Sequence, residues 1–309
     1  SWDGSRWVQR GADLPGQSPS LSLDGDLIAM FDMARPCPNI LVYSWDGSSW
    51  VQRGSIIEDD SCGQTFGSVW LSSDGSLLAR SDPWKKTFAR RSGQVRFYEW
   101  DGSDWFRRSA DINGQEKVSY TGNSVSLSAD GSMVAVAAPH SDAGGRDDYW
   151  NAGQVRIYEW RDSVWVQRGQ VLEGVGRENY LGGTTRVSFD GNTLAVSASL
   201  PIEGSDADRA NVQVFDWDES ASNWKQRGNP IESEASGVRG AGLSLSADGN
   251  SLVMSNSSNS DNGVLSGLVR FFEWDGSNWI QRGQDLKGEA ELEQFGSTVA
   301  LSGSADTIA

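Results

Sequence analysis

Histidine occurs once in 309 residues and cysteine twice, and no apolar run approaches the ~20 residues that a membrane-spanning helix needs. One imidazole, His140, and two thiols without a repeated Cys/His spacing leave no ligand set for zinc or haem. Positive charge is also scarce. Against 42 Asp and Glu stand 26 Lys and Arg, for a formal charge of −16. That balance argues against nucleic acid, whose capture rests on a basic footprint. It fits solubility in salty surroundings, or capture of cations or basic partners. No phosphate-cradling glycine loop opens a helix, and no Ser or Cys nucleophile motif accompanies His140. The chain opens at Ser1 inside a repeat and without Met, as a mature or trimmed chain would.

What the chain has in excess is tryptophan and glycine, 15 and 36 residues. Gly153–Gly169, GQVRIYEWRDSVWVQRG, is written six times in full or in part, as in GQVRFYEWDGSDWFRRS (Gly93–Ser109) and GLVRFFEWDGSNWIQRG (Gly267–Gly283). A period of two separates Arg156, Tyr158 and Trp160 from Val155, Ile157 and Glu159, which predicts a strand. A four-residue Asp-Gly turn then leads to a second strand at the next Trp, so each copy predicts a β-hairpin. Twelve of the 15 Trp occupy the two fixed positions of this hairpin: Trp2/Trp7, Trp45/Trp50, Trp100/Trp105, Trp160/Trp165, Trp217/Trp224 and Trp274/Trp279. Between these hairpins lies a second unit, for example TGNSVSLSADGSMVAVAAP (Thr121–Pro139), which reads as strand, Asp-Gly turn, strand.

Four antiparallel strands in each repeat, with no place for a helix, predict an all-β propeller of four-stranded blades. Six copies of each hairpin predict six blades, with seven blades or an incomplete ring as the alternatives. The expected boundaries within a single domain, 1–309, are 12–54, 55–109, 110–169, 170–228, 229–283 and a composite blade from 284–309 plus 1–11. Both Asp-Gly turns of a blade then lie on one face, and the long, variable loops on the other. Binding chemistry favours variable loops on a rigid scaffold.

Phe66-Gly67 and Phe295-Gly296 opening a unit, Ala137-Ala138-Pro139 closing one, and the GQVRIYEW that follows resemble the FG-GAP repeat of integrin α-chains and microbial or algal surface proteins. The likeness implies a propeller used for adhesion or assembly. It departs at the turn, where SADGS replaces the family's Asp-x-Asp-x-Asp-Gly calcium loop, so calcium does not carry over there.

The main functional expectation is therefore a non-catalytic, extracellular or surface-exposed interaction module that meets a protein or glycan partner on its long-loop face. Arg80–Arg91 carries Trp84, Lys85, Lys86, Arg90 and Arg91, cations beside aromatics, which suits an anchor for an acidic partner or for head-to-tail self-association. The alternative is a multivalent lectin that stacks sugars on the Trp pairs. A hydrolase or lyase at the channel mouth comes third, because propellers host enzymes and fold alone says little of function. No cofactor is expected. Asp142, Asp147, Asp148, Asp206 and Asp208 are weak calcium candidates without the order of a calcium loop. Cys37 and Cys62 fall on adjacent loops and are a candidate disulfide, and Asn256 opens a glycosylation sequon; both fit a secreted protein.

Overall fold

The computed structural model describes residues 5–6, 8–32, 39–58, 67–142, 150–201, 208–236 and 242–309. Cys37, Cys62, Phe66, Asp147, Asp148 and Asp206 lie outside the described residues.

Among the described residues, five antiparallel sheets, each with a path of four consecutive strands, follow one another along the chain. The first holds β1 (Gln17–Leu21), β2 (Leu27–Asp32), β3 (Asn39–Trp45) and β4 (Trp50–Gln52). The second holds β5 (Val69–Leu71), β6 (Leu77–Asp82), β7 (Gln94–Trp100) and β8 (Trp105–Asn113). The third holds β9 (Val125–Leu127), β10 (Met133–Ala138), β11 (Gln154–Arg161) and β12 (Val164–Gln167), with β13 (Leu172–Glu173) returning to β11. In the fourth, β14 (Thr185–Val187), β15 (Thr193–Pro201), β16 (Asp208–Asp218) and β17 (Asn223–Gln226) are joined by β18 (Ile231–Ser236) on β16. The fifth holds β19 (Gly242–Leu245), β20 (Ser251–Asn256), β21 (Leu268–Trp274) and β22 (Trp279–Lys287). The inner strands β1, β5, β9, β14 and β19 touch in that order, as blades around an axis do. The fold is a β-propeller of five blades.

The expectation of six or seven blades is thus corrected. Counting Trp pairs counts outer hairpins, whereas a blade needs a third strand ahead of the Asp-Gly turn. Among the described residues of Ser1–Gly11 no strand forms. Residues 295–309 accordingly make one antiparallel bridge, Leu301 to Ile308, and no four-stranded sheet. This end docks on the fifth blade, where Leu301 N–H donates to Ser244 Oγ (2.9 Å) and Ala247 N–H to the Gly303 carbonyl (3.0 Å).

Blades are built by turns that satisfy themselves. In each inner hairpin the Ser of Ser-x-Asp-Gly donates to the Asp, as Ser72 Oγ does to Asp74 (2.6 Å), and accepts from the N–H of Leu77 (3.0 Å). The same pair of bonds recurs at Ser22, Ser128, Ser188 and Ser246. The carboxylates are committed to holding the turn. In the outer turn, the N–H groups of Ser49 and then Ser48 bring the Asp46 carboxyl down to about 2.

The core lies between blades. Met133, Ala135 and Ile157 of blade 3 meet Leu194, Val196 and Phe215 of blade 4, and equivalent clusters fill the other junctions of successive blades. Each fully buried aliphatic side chain contributes about 1.5–3 kcal/mol.

Tryptophan and arginine seal the outside. The two Trp of each hairpin sit directly opposite, as at Trp100↔Trp105 and Trp217↔Trp224. An Arg from the preceding segment lies on the first ring of each described pair: Arg10 on Trp45 (4.6 Å), Arg53 on Trp100 (4.4 Å), Arg108 on Trp160 (4.1 Å), Arg168 on Trp217 (4.3 Å) and Arg227 on Trp274 (4.7 Å). Cation–π contacts of this kind are worth about 0.5–2 kcal/mol each. Arg108 and Arg282 also reach Glu99 (3.1 Å) and Glu273 (2.8 Å) across the hairpin.

Candidate active site on the long-loop face

The loops joining β6 to β7 and β10 to β11 lie beside the loops that lead from one blade to the next. Backbone hydrogen bonds lock them together in the same way each time. Tyr120 N–H donates to the Arg91 carbonyl, Tyr180 N–H to Asn151, and Gln294 N–H to Leu265. One residue further on, Thr121, Leu181 and Phe295 bridge to Gly93, Gly153 and Gly267. Short turns place Trp84, His140 and Ser258 at matching points, since Lys85, Ser141 and Asn259 donate back to Asp82, Ala138 and Asn256.

This lock demands left-handed backbone at non-glycine residues. Arg91 (φ 54°), Tyr120 (54°), Asn151 (53°), Tyr180 (48°), Leu265 (53°) and Gln294 (53°) all adopt it. Such residues cost of order 1–3 kcal/mol each and persist only where their surroundings over-determine them. The glycine after each bridging residue is required too. Gly182 has φ +97°, and a Cβ there would stand 2.7 Å from that of Ala137.

The side chains hung on this frame make two linked triads. In the first, Trp84 meets Tyr120 edge-on (5.0 Å), Arg91 lies over Trp84 (4.5 Å), and Arg91 Nη1 donates to the Tyr120 hydroxyl (3.0 Å). In the second, His140 meets Tyr180 edge-on (5.2 Å) and its Nδ1 lies 3.1 Å from Asn151 Oδ1. Tyr120 also packs on His140 (4.8 Å), so one aromatic row runs Trp84–Tyr120–His140–Tyr180 across blades 2 and 3. Behind it, Glu116 accepts from Ser141 Oγ (2.5 Å) and Asp142 N–H (3.2 Å), and Asp142 accepts from Asn151 N–H (3.1 Å). Asn151 and Tyr180 are buried; Trp84, Arg91, Tyr120 and His140 are half-buried and reach solvent.

Of the residues singled out in the sequence, Trp84 and Arg91 come together here, while Lys86 and Arg90 stand exposed on the same loop and Lys85 is half-buried. Asp142 supports the backbone of Asn151. Asp208 opens β16. Among the described residues no three His, Cys, Asp or Glu side chains gather as a metal site. Asn256 ends strand β20 and is 2% exposed, so it is not the loop residue its sequon suggests. Sequence reasoning treated His140 as an isolated loop residue and missed Tyr120, Asn151 and Tyr180. The signal was available: Pro83-Trp84 and Pro139-His140, then Tyr120-Thr-Gly and Tyr180-Leu-Gly, hold the same places in successive repeats.

Two of the paired tryptophans are used in the blade junctions. Trp105 and Trp224 are buried between blades, with Nε1 donating to the carbonyls of Arg53 (3.1 Å) and Arg168 (2.9 Å). These two rings are packing and offer no sugar platform.

The chain matches no known family profile and no curated protein. Solved structures do resemble it. A protein from Lactobacillus plantarum superposes with a TM-score of 0.57 at 15% identity over 90% of this chain and 72% of that one. A candidate 6-phosphogluconolactonase from Bacteroides fragilis gives 0.54 at 17% identity over 86% and 69%. A second, from Bacteroides uniformis, gives 0.50 at 10% identity over 87% and 84%. These likenesses carry the fold. Two of the three are described as lactonase candidates, and nothing in the comparisons supports the expected non-catalytic adhesion module, which is corrected accordingly.

Proposed function

We propose that this propeller is a hydrolase of a small ester or lactone, with His140 as the base that activates water. The observation that carries the reading is the contact of His140 Nδ1 with Asn151 Oδ1 between two tyrosine rings. When Nδ1 donates to that amide oxygen, Nε2 bears the lone pair, the tautomer that a general base requires. Water gives its proton to Nε2 as its oxygen bonds to the substrate carbonyl carbon. The carbonyl π pair moves onto oxygen, where the Tyr120 hydroxyl, polarised by Arg91, can donate to it. Collapse of that intermediate breaks the C–O bond, and the imidazolium returns its proton to the departing alkoxide. The cations Lys86 and Arg90 on the neighbouring loop favour an anionic substrate in an otherwise acidic protein. The lactonase candidates of similar fold support the reaction class by analogy.

The repeat itself we read as FG-GAP-like, supported by Phe295-Gly296 at the inter-blade bridge. Hydrolysis of δ-gluconolactone and 6-phosphogluconolactone above the spontaneous rate tests the proposal. Activity should be lost in His140→Ala with the melting temperature unchanged; equal rates in wild type and variant would refute it.

A further inference from the structure

At four of the five outer hairpins the second Trp is tied alike to the segment before it, and the hairpin of blade 3, at its junction with blade 2, breaks the rule. Elsewhere Nε1 of the second Trp donates to an Arg carbonyl of the preceding segment: Trp50 to Arg10, Trp105 to Arg53, Trp224 to Arg168 and Trp279 to Arg227. Trp165 Nε1 is buried and has no such partner among the described residues. The sequence explains why. At Gly11, Gly54, Gly169 and Gly228 a glycine with φ of 70–78° turns the chain beneath the Trp rings. Ser109 stands at that place in blade 2, and the positive φ moves one residue on, to Ala110 (75°).

The rerouted segment borders a cleft of about 550 Å³, lined among others by Phe88, Asp111, Ile112, Asn113, Tyr158 and Trp165. That volume is in the range of small-molecule sites. Its walls are of two kinds. Phe88, 75% exposed, stands with Tyr158 and Trp165 as aromatic surface. Asp111 accepts from Arg107 (2.6 Å) and Gln94 (3.1 Å), so its charge is compensated, and Gln94 also donates to Asn113 Oδ1 (2.8 Å). Aromatic faces suit the C–H surfaces of a ring, and fixed carboxylate and amide oxygens suit its hydroxyls. An anion finds no uncompensated cation here, and a wholly apolar molecule would strand the oxygens.

We propose that this cleft binds a neutral pyranose, stacked on Phe88 and hydrogen-bonded by Asp111 and Asn113. None of the six residues named as lining the cleft belongs to the His140 triads, so the site stands or falls apart from the hydrolase reading. The test is a titration with methyl glycosides of glucose, galactose and mannose and with N-acetylglucosamine, followed by saturation-transfer NMR and tryptophan fluorescence. At least one sugar should bind saturably, about tenfold more weakly to Phe88→Ala or Asp111→Asn, and equally well to His140→Ala. Phe88 is exposed, so its removal leaves the fold intact. Absence of binding by every sugar, or binding indifferent to Phe88→Ala, overturns the proposal.

Discussion

The paired loops at the long-loop ends of blades 2, 3 and 5 share a backbone but not a chemistry. Left-handed residues, parallel bridges and return hydrogen bonds recur in all three. The first two carry Trp84, Arg91 and Tyr120, then His140, Asn151 and Tyr180; the last carries Ser258, Leu265 and Gln294. Strain at these residues is therefore a property of the connection and marks no function by itself. What distinguishes the candidate site is the side chains placed on an identical frame, which can change without disturbing it.

The largest expected effect breaks that comparison directly. His140→Ala should lower lactone hydrolysis by about 10²–10⁴-fold, whereas Ser258→Ala, its counterpart in blade 5, should leave the rate unchanged; initial rates on both variants decide it. Next come the blade junctions. Trp224→Ala should cost about 3–5 kcal/mol in urea unfolding, because a buried ring leaves a cavity. Trp224→Phe should cost about 1 kcal/mol more than Trp165→Phe, since only the former loses an Nε1 hydrogen bond.

Glycine sharpens the same contrast. Gly228→Ala should destabilise by about 1–3 kcal/mol in the same assay, because φ is +70° and the new Cβ would lie 2.6 Å from the Trp274 ring. The smallest effect is electrostatic. Asp46 is lowered to about 2 by the N–H groups of Ser49 and Ser48, and Asp101 and Asp275 are lowered by the corresponding groups of Asp104 and Asn278. A depressed carboxyl stabilises the folded state fully above its unfolded value of 3.8 and loses that contribution as pH falls toward about 2. The melting temperature should thus be flat near neutrality and decline through that acid window, less steeply in Asp46→Asn.

Much of the blade was legible because its signals are local. The alternation of Gln154–Trp160 and the Asp-Gly turn put Trp160 opposite Trp165, as observed. Blade number was misread because a Trp pair reports only an outer hairpin, whereas a blade is a four-stranded sheet, and five such sheets form among the described residues. The site was legible only in part. Trp84 and Arg91 stood in one basic loop, but His140 and Tyr180 are 40 residues apart, and their contact depends on how one blade follows another.

By itself the sequence determined the strands, their pairing within a hairpin and the turns between them, since a period of two and a glycine's free φ act over a few residues. Tertiary structure alone decided that five blades form, that each Arg covers a neighbour's Trp, and that a lone histidine sits between two tyrosines. Those contacts join residues from different repeats, and their free energy exists only once successive sheets have closed on one another.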